Sequence, residues 1–426
     1  MSEAIPVGWQ RRSLSSLGEY ENGFAFNELH WSEHGLPIIR IAQITGTQGI
    51  VDRYPRLLPN TFRIDSGDLI FSWSGTLAVV RWAGGPSWLN QHLFKVVPAP
   101  GIERSLLFHV LQASVAAMNK RTHGSTMKHI KRGELREFFV SIPVAVDEQR
   151  KLASVLDNLD TTIQETEAII AKLKAVKQGL LHDLLTRGID ANGELRPPQA
   201  EAPHLYKQSP LGWIPKAWEA HVFGRTVEHV IDFRGRTPKK LGMDWGGGDI
   251  LALSANNVQP GAIDISREAY FGGERLYHKW MTNGDLWKGD VLLTMEAPLG
   301  NVAQIPDDAR YILSQRVIAL RFNTGVVLND FAFWQMQSNE FQQAMVRRST
   351  GSTATGIQRA ELVKLHFKAP PLQEQSLIAE RLASLEHKLE SERLALAKQV
   401  QQKAGLVDDL LTGRVRVTPL LEGQAS

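Results

Sequence analysis

The chain has 426 residues, which at about 100–200 residues per domain predicts two or three domains. Its 43% hydrophobic residues are enough for packed cores and exclude a mainly disordered protein. It has no cysteine, which excludes disulfides, cysteine-ligated zinc and a thiol nucleophile, and its net charge of only +3 requires any nucleic-acid surface to be a local patch. We find no apolar segment of signal-peptide or membrane-spanning length, so we expect a cytoplasmic protein.

The first predicted domain covers residues 1–146. β-branched and aromatic runs at 70–83 and 92–98 lie between turn residues and predict short strands. Residues 106–120 have the periodicity of an amphipathic helix. This mixture predicts an α+β globule.

A basic segment near the end of this domain is the first candidate DNA-binding loop. Cations supply attraction to phosphates, and hydroxyls in a loop that contains glycine approach them closely. The alternative is a solvated loop with a helix cap, since Ser or Thr before Glu is also a capping signal. The candidates here are Lys120, Arg121, Ser125, Thr126, Lys128 and Lys131.

Polar and aromatic residues of the variable middle give further candidates for base contacts. Arg suits guanine and Asn or Gln suits adenine in the major groove. These candidates are Arg40, Gln43, Trp73, Ser74, Arg81, Trp82, Asn90 and Gln91.

A long helix is predicted over residues 147–188, after Pro143 and ending at Gly188. Apolar residues recur at alternating spacings of four and three, which is a heptad pattern with a few polar breaks. The seam consists of Leu152, Leu156, Leu159, Ile163, Thr166, Ile170, Leu173, Lys177, Leu180 and Leu184. The polar segment 189–206, rich in Pro and Ala, is predicted to be a linker.

The second predicted domain covers residues 207–372. Strand patterns occur at 290–295 and 316–322, and a helix is predicted over 331–348. A basic loop that contains glycine offers Arg234, Arg236, Lys239 and Lys240 as DNA contacts. We expect Arg236→Ala or Lys240→Ala to weaken DNA binding and its dependence on salt if this loop faces DNA.

The second domain also has a counterpart of the first basic segment. Its candidates are Arg347, Arg348, Ser352, Thr353 and Thr355, with Ser254, Asn256, Asn257, Gln315 and Arg316 as further candidates for base contacts. Gln91 and Gln315 occupy similar places in the two domains, which favours a positioning role over sequence choice.

A second long helix is predicted over 373–413, followed by a tail at 414–426. It begins after Pro370-Pro371, ends at Gly413 and keeps the heptad register. Neither long helix buries its seam alone, so the two are expected to pack on each other.

The chain is a tandem repeat with a period of about 210–227 residues. Ile5-Pro6 with Trp9 matches Ile214-Pro215 with Trp218. GSTMKHIKRGEL at 124–135 matches GSTATGIQRAEL at 351–362, Glu148-Gln149 matches Glu374-Gln375, and LLHDLLT at 180–186 matches LVDDLLT at 406–412. The ends of the two copies agree better than their middles.

Signatures of catalysis are missing from the sequence. It has no P-loop, no HExxH, no GxSxG and no Asn/Asp-Pro-Pro-Tyr/Phe motif of the kind found in amino-methyltransferases. His30 and His34 have a spacing compatible with two metal ligands on a helix, but Gly35 and Pro37 oppose a helix there. Solvated or hydrogen-bonded histidines are the favoured interpretation.

Taken together, these motifs resemble the specificity (S) subunits of type I restriction–modification systems. The resemblance is carried by the IPxxW starts, the GSTxxxIxRxEL segments, the Glu-Gln helix starts and the LLxDLLT helix ends. It covers residues 5–417, with LVDDLLT as a small departure in the second copy.

The resemblance implies two target-recognition domains, each recognising one half of a bipartite, asymmetric DNA sequence. It implies an antiparallel coiled coil of the two helices with pseudo-two-fold symmetry, which sets the gap between the halves and docks two modification subunits. S-adenosylmethionine, ATP and Mg²⁺ would belong to the modification and restriction subunits, and this chain would hold no catalytic residue, metal or cofactor.

Three other functions remain open at this point. The chain could serve a restriction-free DNA methyltransferase or another DNA-modifying defence complex, which neighbouring genes would distinguish. A single-chain enzyme with an unrecognised site would methylate DNA alone. A pure coiled-coil scaffold would give no DNA gel shift.

Overall fold

A computed structural model describes residues 5–47, 49–121, 128–129, 133–351 and 355–422. The chain forms two compact units. Unit 1 contains Met1–Ala168 and Arg393–Ser426, and unit 2 contains Ile169–Glu392.

The first half of the chain alternates short strands with a few helices. Its strands are β1 (Trp9–Ser13), β2 (Gly18–Asn22), β3 (Leu36–Ile39), β4 (Arg53–Tyr54), β5 (Arg63–Ile64), β6 (Leu69–Ser72), β7 (Ser74–Gly75), β8 (Ala78–Arg81), β9 (Ser87–Leu89), β10 (Leu93–Pro98), β11 (Lys128–His129) and β12 (Phe139–Pro143). Its helices are α1 (Ile41–Thr45), α2 (Arg104–Arg121) and the long α3 (Val146–Thr186).

The second half repeats this plan with more helices. Its strands are β13 (Tyr206–Ser209), β14 (Gly212–Pro215), β15 (Glu219–Val222), β16 (Val227–Asp232), β17 (Ile250–Leu253), β18 (Val258–Gln259), β19 (Ala262–Ile263), β20 (Tyr270–Gly272), β21 (Val291–Met295), β22 (Leu299–Gln304), β23 (Tyr311–Leu313), β24 (Val317–Phe322) and β25 (His366–Ala369). Its helices are α4 (Phe223–Thr226), α5 (Glu274–Trp280), α6 (Asn329–Met336), α7 (Asn339–Arg347), α8 (Arg359–Leu362), the long α9 (Leu372–Leu411) and α10 (Pro419–Glu422).

The two units share one central sheet topology. Unit 1 has the antiparallel order β2-β10-β6-β8, and unit 2 has the order β16-β24-β21-β22. The run at 70–83, predicted as strand, forms the β6–β8 hairpin. The runs at 92–98, 290–295 and 316–322 form β10, β21 and β24. The predicted α+β class with two tandem domains is confirmed.

A second, smaller sheet in each unit contains one parallel strand pair. β3 pairs in parallel with β9 in unit 1, and β17 pairs in parallel with β23 in unit 2. Parallel strands end at the same edge of a sheet. The turns that follow β3 and β9 therefore lie together, as do those that follow β17 and β23.

Each unit has a core made by its central sheet and the helices packed against it. In unit 1, Tyr20, Phe71 and Phe94 form edge and stacked ring contacts next to the buried face of α2. Unit 2 has a corresponding core and a further one around Trp280, which supports the smaller sheet.

The single helix predicted over residues 331–348 is broken into two helices, so the prediction of one continuous helix was wrong. α6 ends at Met336, and α7 begins after Ser338, whose hydroxyl accepts a hydrogen bond from Phe341 N at 3.3 Å. Serine in an N-cap position satisfies a free N–H of the first turn, so a new helix starts there. The apolar periodicity continues across the break, which hides it in the sequence.

The long helices span 41 and 40 residues, and in each unit their segments run antiparallel. In unit 1, Leu152 and Leu156 share a core with Leu410. In unit 2, Leu184 shares a core with Ile378.

Two polar positions of the seam, Lys177 and Lys403, form matching ion pairs. Lys403 pairs with Asp160 in unit 1, and Lys177 pairs with Glu386 at 2.5 Å in unit 2. The two lysines are 226 positions apart, as are the two acids. A polar pair within an apolar seam favours one register over others.

The repeated Trp and Glu form a clamp in unit 1. Glu148, at the start of α3, accepts hydrogen bonds from the Trp9 indole at 3.2 Å and from Arg416 at 2.8 and 3.1 Å. Arg416 follows the end of α9, and Gly413 lies so close to Pro6 that a Cβ there would be 2.7 Å from its ring. The clamp thus ties the end of one long helix to the start of the other.

Unit 2 has the same clamp. Glu374, at the start of α9, accepts from the Trp218 indole at 3.0 Å, from Ile189 N at 2.9 Å and from Arg196 at 2.5 and 2.9 Å. Gly188 packs against this group with a φ of +63°, which a side chain would strain. The segment predicted as a linker is therefore packed on unit 2 through Arg196.

The glutamine after each of these glutamates anchors a loop from earlier in the chain. This loop leads to α2 in unit 1 and to α6 in unit 2. Gln149 bonds to Gly101 O, Pro143 O and Glu103 N. Gln375 bonds to Val326 O, Pro370 O and Leu328 N in the same pattern. The repeated Glu-Gln motif is therefore structural.

Among the described residues, no helix is long and apolar enough to cross a membrane.

Candidate nucleic-acid interface

Four turns converge at one edge of unit 2. Ala255 N donates to Gln315 O at 3.3 Å, which joins the turn after β17 to the turn after β23. Met295 N donates to Arg316 O at 2.8 Å, which adds the β21–β22 hairpin. Glu296 forms a β-bridge with Gly356, which adds the repeated GST segment. We call these four turns the recognition surface of unit 2.

Unit 1 assembles the equivalent recognition surface from equivalent turns. Asn90 N donates to Ile39 O at 3.0 Å, which joins the turns after β3 and β9. β11 pairs with β7, so His129 lies opposite Ser74 in the hairpin. The Trp73 and His92 rings are 5.9 Å apart across the hairpin and the β9–β10 turn.

Three unit 1 candidates form side-chain contacts within the protein. Arg81 pairs with Asp157 of α3 at 2.6 Å and covers the Phe108 ring, so it fixes the sheet to the helix. Trp82 donates to Gly85 O within its own turn. Asn90 is buried and caps the turn by accepting from His92 N. These three are scaffold residues.

Arg40 and Gln43 lie at the start of α1, beside the recognition surface. Arg40 pairs with Asp52 at 2.5 Å and lies over the Trp31 ring, and its backbone N–H donates to the Gln43 side chain. Gln91 is half-buried at the β9–β10 turn, within 3.4 Å of His92. These residues stay candidates for base contacts.

The basic segment of unit 1 is only partly described. Lys120 and Arg121 belong to the last turn of α2, and Lys128 belongs to β11 opposite Gly75. Ser125, Thr126 and Lys131 lie outside the described residues. Of this segment, the two residues of β11 lie against the hairpin of the recognition surface.

The arginines of the predicted basic loop in unit 2 are engaged within the protein. Arg234 forms two bonds to Asp232, at 2.9 and 2.7 Å. Although burial raises the pKa of Asp232, the bonds from Arg234 outweigh it and hold that pKa below its ordinary value. Arg236 donates to Trp280 O and to the Thr282 hydroxyl, and it covers the Phe233 ring. Their attraction for phosphate is reduced accordingly.

The lysines of this loop are more available. Lys240 is exposed and donates to Gly235 O at 2.6 Å, while Lys239 is exposed with no polar side-chain partner among the described residues. Asn257 is fully buried, and its amide donates to the Asp264 and Glu268 carbonyls, so it shapes the turn.

The second GST segment is flanked by cations of two kinds. Arg348 pairs with Glu361 at 2.9 Å, and Lys364 and Arg348 together hold the pKa of Glu361 below its ordinary value. Arg347 is exposed and has no side-chain partner among the described residues. Thr355 is exposed, while Ser352 and Thr353 lie outside the described part of the chain.

Sequence reasoning missed two residues of these surfaces, His92 and Glu296. His92 stands in the position that Arg316 occupies in unit 2, directly after the repeated glutamine. That repeat was the available signal for it. Glu296 gave no signal, because only the hairpin brings it to Gly356.

One group of side chains in unit 1 has the composition of a metal site. His109, Asp157 and Asp160 have ligand atoms within 4.8 Å of one another. Asp157 already bonds to Arg81 and to His109 at 2.7 Å, and Asp160 pairs with Lys403. Two cations compensate the two carboxylates, so the group is an ion-pair network rather than a cation site. His30, considered above for metal, accepts from Asn27 N at 3.1 Å.

The buried His109 makes unit 1 sensitive to acid. Burial lowers the pKa of His109, although its bond to Asp157 and the charges of Asp157 and Asp160 oppose the shift. A histidine with a folded pKa below its ordinary value of about 6.5 stays neutral while the unfolded chain takes up a proton. The contribution of His109 to stability is therefore expected to be complete above about pH 6.5 and to fall as the pH drops below it. We expect the thermal transition of unit 1 to decrease from pH 7.5 to 5.5.

His109→Gln keeps a donor for Asp157 but removes this titration. Its transition temperature should change less between pH 7.5 and 5.5 than that of the parent chain. Differential scanning calorimetry at matched ionic strength measures both slopes. Equal slopes would contradict the assignment of the acid sensitivity to His109.

The topology defines a class of protein with two α+β units that share one sheet order. Each unit contains antiparallel segments of two long helices, and each has a surface of polar turns. The family model for the type I restriction modification DNA specificity domain matches residues 6–175 and 227–402. These matches span most of the chain, which therefore belongs to this family.

The chain is also similar to curated relatives along most of its length. It is 23% identical over 382 residues to the type I restriction enzyme MjaVIII specificity subunit of Methanocaldococcus jannaschii, covering 87% of this chain and 84% of that one. It is 22% identical over 426 residues to the EcoBI specificity subunit of Escherichia coli, covering 96% and 84% of the two chains.

A solved structure has the same fold. The crystal structure of a type I restriction-modification S subunit from M. genitalium matches with a TM-score of 0.60 at 14% identity, covering 96% of this chain and 97% of that one. A second chain, from work on assembly and conformational transition of the type I R-M system, matches with a TM-score of 0.53 at 15% identity.

Proposed function

We propose that this chain is the sequence-specific DNA-binding specificity subunit of a type I restriction–modification complex. Each unit recognises one half of a bipartite, asymmetric target, and the long helices set the gap between the halves and dock the modification subunits. The resemblance seen in the sequence and the family membership support this function.

The observation that carries the proposal is the recurrence of one four-turn surface with different side chains. Unit 1 presents Gln91 and His92 where unit 2 presents Gln315 and Arg316. A common scaffold with different polar side chains is what recognition of two unlike half-sites requires, because base contacts specify sequence and the scaffold positions them.

The chemistry of the complex is assigned to other subunits. We propose that modification subunits bind S-adenosylmethionine and methylate adenine N6, and that restriction subunits use ATP and Mg²⁺ for translocation and cleavage. In this division the chain itself holds no catalytic residue. It contributes DNA affinity and target choice.

Selection of duplexes from a random library tests this function. The chain assembled with the modification subunit encoded beside its gene should enrich DNA with two unlike conserved halves at a fixed separation. Enrichment of a single palindromic site, or of no sequence, would contradict the proposal.

Arg347, which is exposed and has no side-chain partner among the described residues, should contribute directly to the salt dependence of binding. Each phosphate neutralised by a cation adds roughly one to the slope of log affinity against log salt. Arg347→Ala should therefore reduce the slope by about one and weaken binding at every sequence. Fluorescence anisotropy of the assembled complex on labelled duplex, at salt concentrations from about 50 to about 200 mM, gives the slope.

Arg236→Ala is the matched control, since its guanidinium is occupied by Trp280 O and Thr282. We expect its slope to stay at the parent value, which revises the expectation from sequence alone. If Arg236→Ala reduced the slope and Arg347→Ala did not, the placement of the phosphate contacts would be wrong.

A further inference from the structure

The turn between β23 and β24 contains a strained arginine. Arg316 has a φ of +65°, the left-handed conformation that favours glycine and asparagine. Among the described non-glycine residues, it shares a positive φ only with Ala297, and the two are in contact, since Arg316 Nη1 donates to Ala297 O at 2.8 Å. Strain at two touching residues of a candidate binding surface points to a functional requirement for these positions.

The guanidinium of Arg316 is held in place before any DNA binds. Besides Ala297 O, it donates through Nη2 to the Asn256 side-chain oxygen at 3.3 Å. Arginine has five N–H donors in a planar fork, so three remain. The backbone of Arg316 is fixed as well, because its carbonyl accepts from Met295 N at 2.8 Å. A half-buried, oriented fork loses little entropy when it binds a planar partner.

The charges around Arg316 favour a base edge over a phosphate. Glu296, next to Ala297 in the same hairpin, is an exposed carboxylate that repels a phosphate group. A carboxylate does not oppose binding to guanine, whose O6 and N7 are neutral acceptors matched by an arginine fork. Arg347 and Lys239, exposed and free of polar partners in the described chain, are better suited to phosphates.

We infer that Arg316 is a specificity-determining residue that recognises a guanine in the half-site of unit 2, with Asn256 as its positioning residue. This inference rests on the proposed function. In unit 1 the same position is His92, so the first half-site lacks this arginine contact.

Arg316→Gly separates recognition from folding. Glycine adopts a φ of +65° without strain, and this relief offsets the loss of the two side-chain hydrogen bonds, so the turn should form and the thermal transition should change little. The experiment measures competition by duplexes in which each guanine of the second half-site is replaced in turn, using the parent complex and the variant complex. Replacement of one particular guanine should weaken DNA binding by the parent complex about ten- to a hundredfold. The same replacement should leave the affinity of the Arg316→Gly complex unchanged.

His92→Ala is the control in the other unit, and it should leave the penalty at that guanine unchanged. Equal penalties for the parent and Arg316→Gly at every guanine, or a second half-site without guanine, would overturn the inference while leaving the proposed function intact. Failure of the parent complex to select any split target would overturn the proposed function itself.

Discussion

Glu374→Ala should destabilise unit 2 by about 3–5 kcal/mol, the range seen when one partner of a buried ion pair is removed. Glu374 is almost fully buried and accepts four hydrogen bonds. Its removal leaves the Trp218 indole without an acceptor and takes both carboxylate bonds from the Arg196 guanidinium, which keeps only its bond to Arg187 O. It also releases the end of α3 from the start of α9. Urea unfolding of the full chain, followed by tryptophan fluorescence, measures the loss.

A mutant cycle separates the ion pair from the packing. Glu374→Gln keeps an oxygen for the Trp218 indole and should cost less than Glu374→Ala. Arg196→Met combined with Glu374→Gln should recover part of the loss, because no buried charge then remains unpaired. Glu148→Ala should act in the same way on unit 1. If Glu374→Ala lowered the free energy of unfolding of unit 2 by less than about 1 kcal/mol, the role given to Glu374 in the clamp would be wrong.

Trp280→Ala should cost about 3–5 kcal/mol and disable recognition by unit 2. Trp280 is fully buried in the core below the smaller sheet, and its indole donates to Leu313 O at 2.8 Å. Leu313 ends β23, directly before the Gln315–Arg316 turn. The expected result is loss of selectivity in the second half-site, with the first half-site unchanged.

Trp280→Phe is the conservative control, since it retains most of the apolar volume and loses the indole bond. It should retain selectivity at reduced stability. The measurement is duplex competition with substitutions in each half-site. Equal loss of selectivity in both half-sites for Trp280→Ala would contradict the assignment of this core to one recognition surface.

The repeats and the periodicity predicted the α+β plan and the two long helices. Local signals suffice for such elements, as when Gly188 and Gly413 end the helices with positive φ. The break at Ser338 was missed, because a serine cap inside a continuous apolar pattern looks like a surface position.

The role of the matching ends of the two repeats was harder to predict. Trp9 and Glu148 are 139 residues apart, and Arg416 is 268 residues from Glu148, so no local pattern links them. The same holds for the ion pairs in the helix seam, whose partners depend on the antiparallel register. The residue types were visible in the sequence, but their partners are known only from the fold.

The candidate site was predicted at the level of segments rather than of side chains. Arg234, Arg236 and Arg348 were chosen for their charge, but neighbours such as Asp232 and Glu361 engage two of them. Charge and spacing do not reveal such intramolecular pairing. Arg316 and Asn256 were both candidates, yet their contact, which makes them one unit of recognition, spans 60 positions.

Sequencing of N6-methyladenine in host DNA tests the central claim most directly. The chain is co-expressed with its neighbouring modification subunit, in cells that lack other adenine methyltransferases. We expect one split motif with two unlike halves around a fixed gap. Methylation at a continuous or palindromic motif, or none from an assembled complex supplied with S-adenosylmethionine, would contradict it.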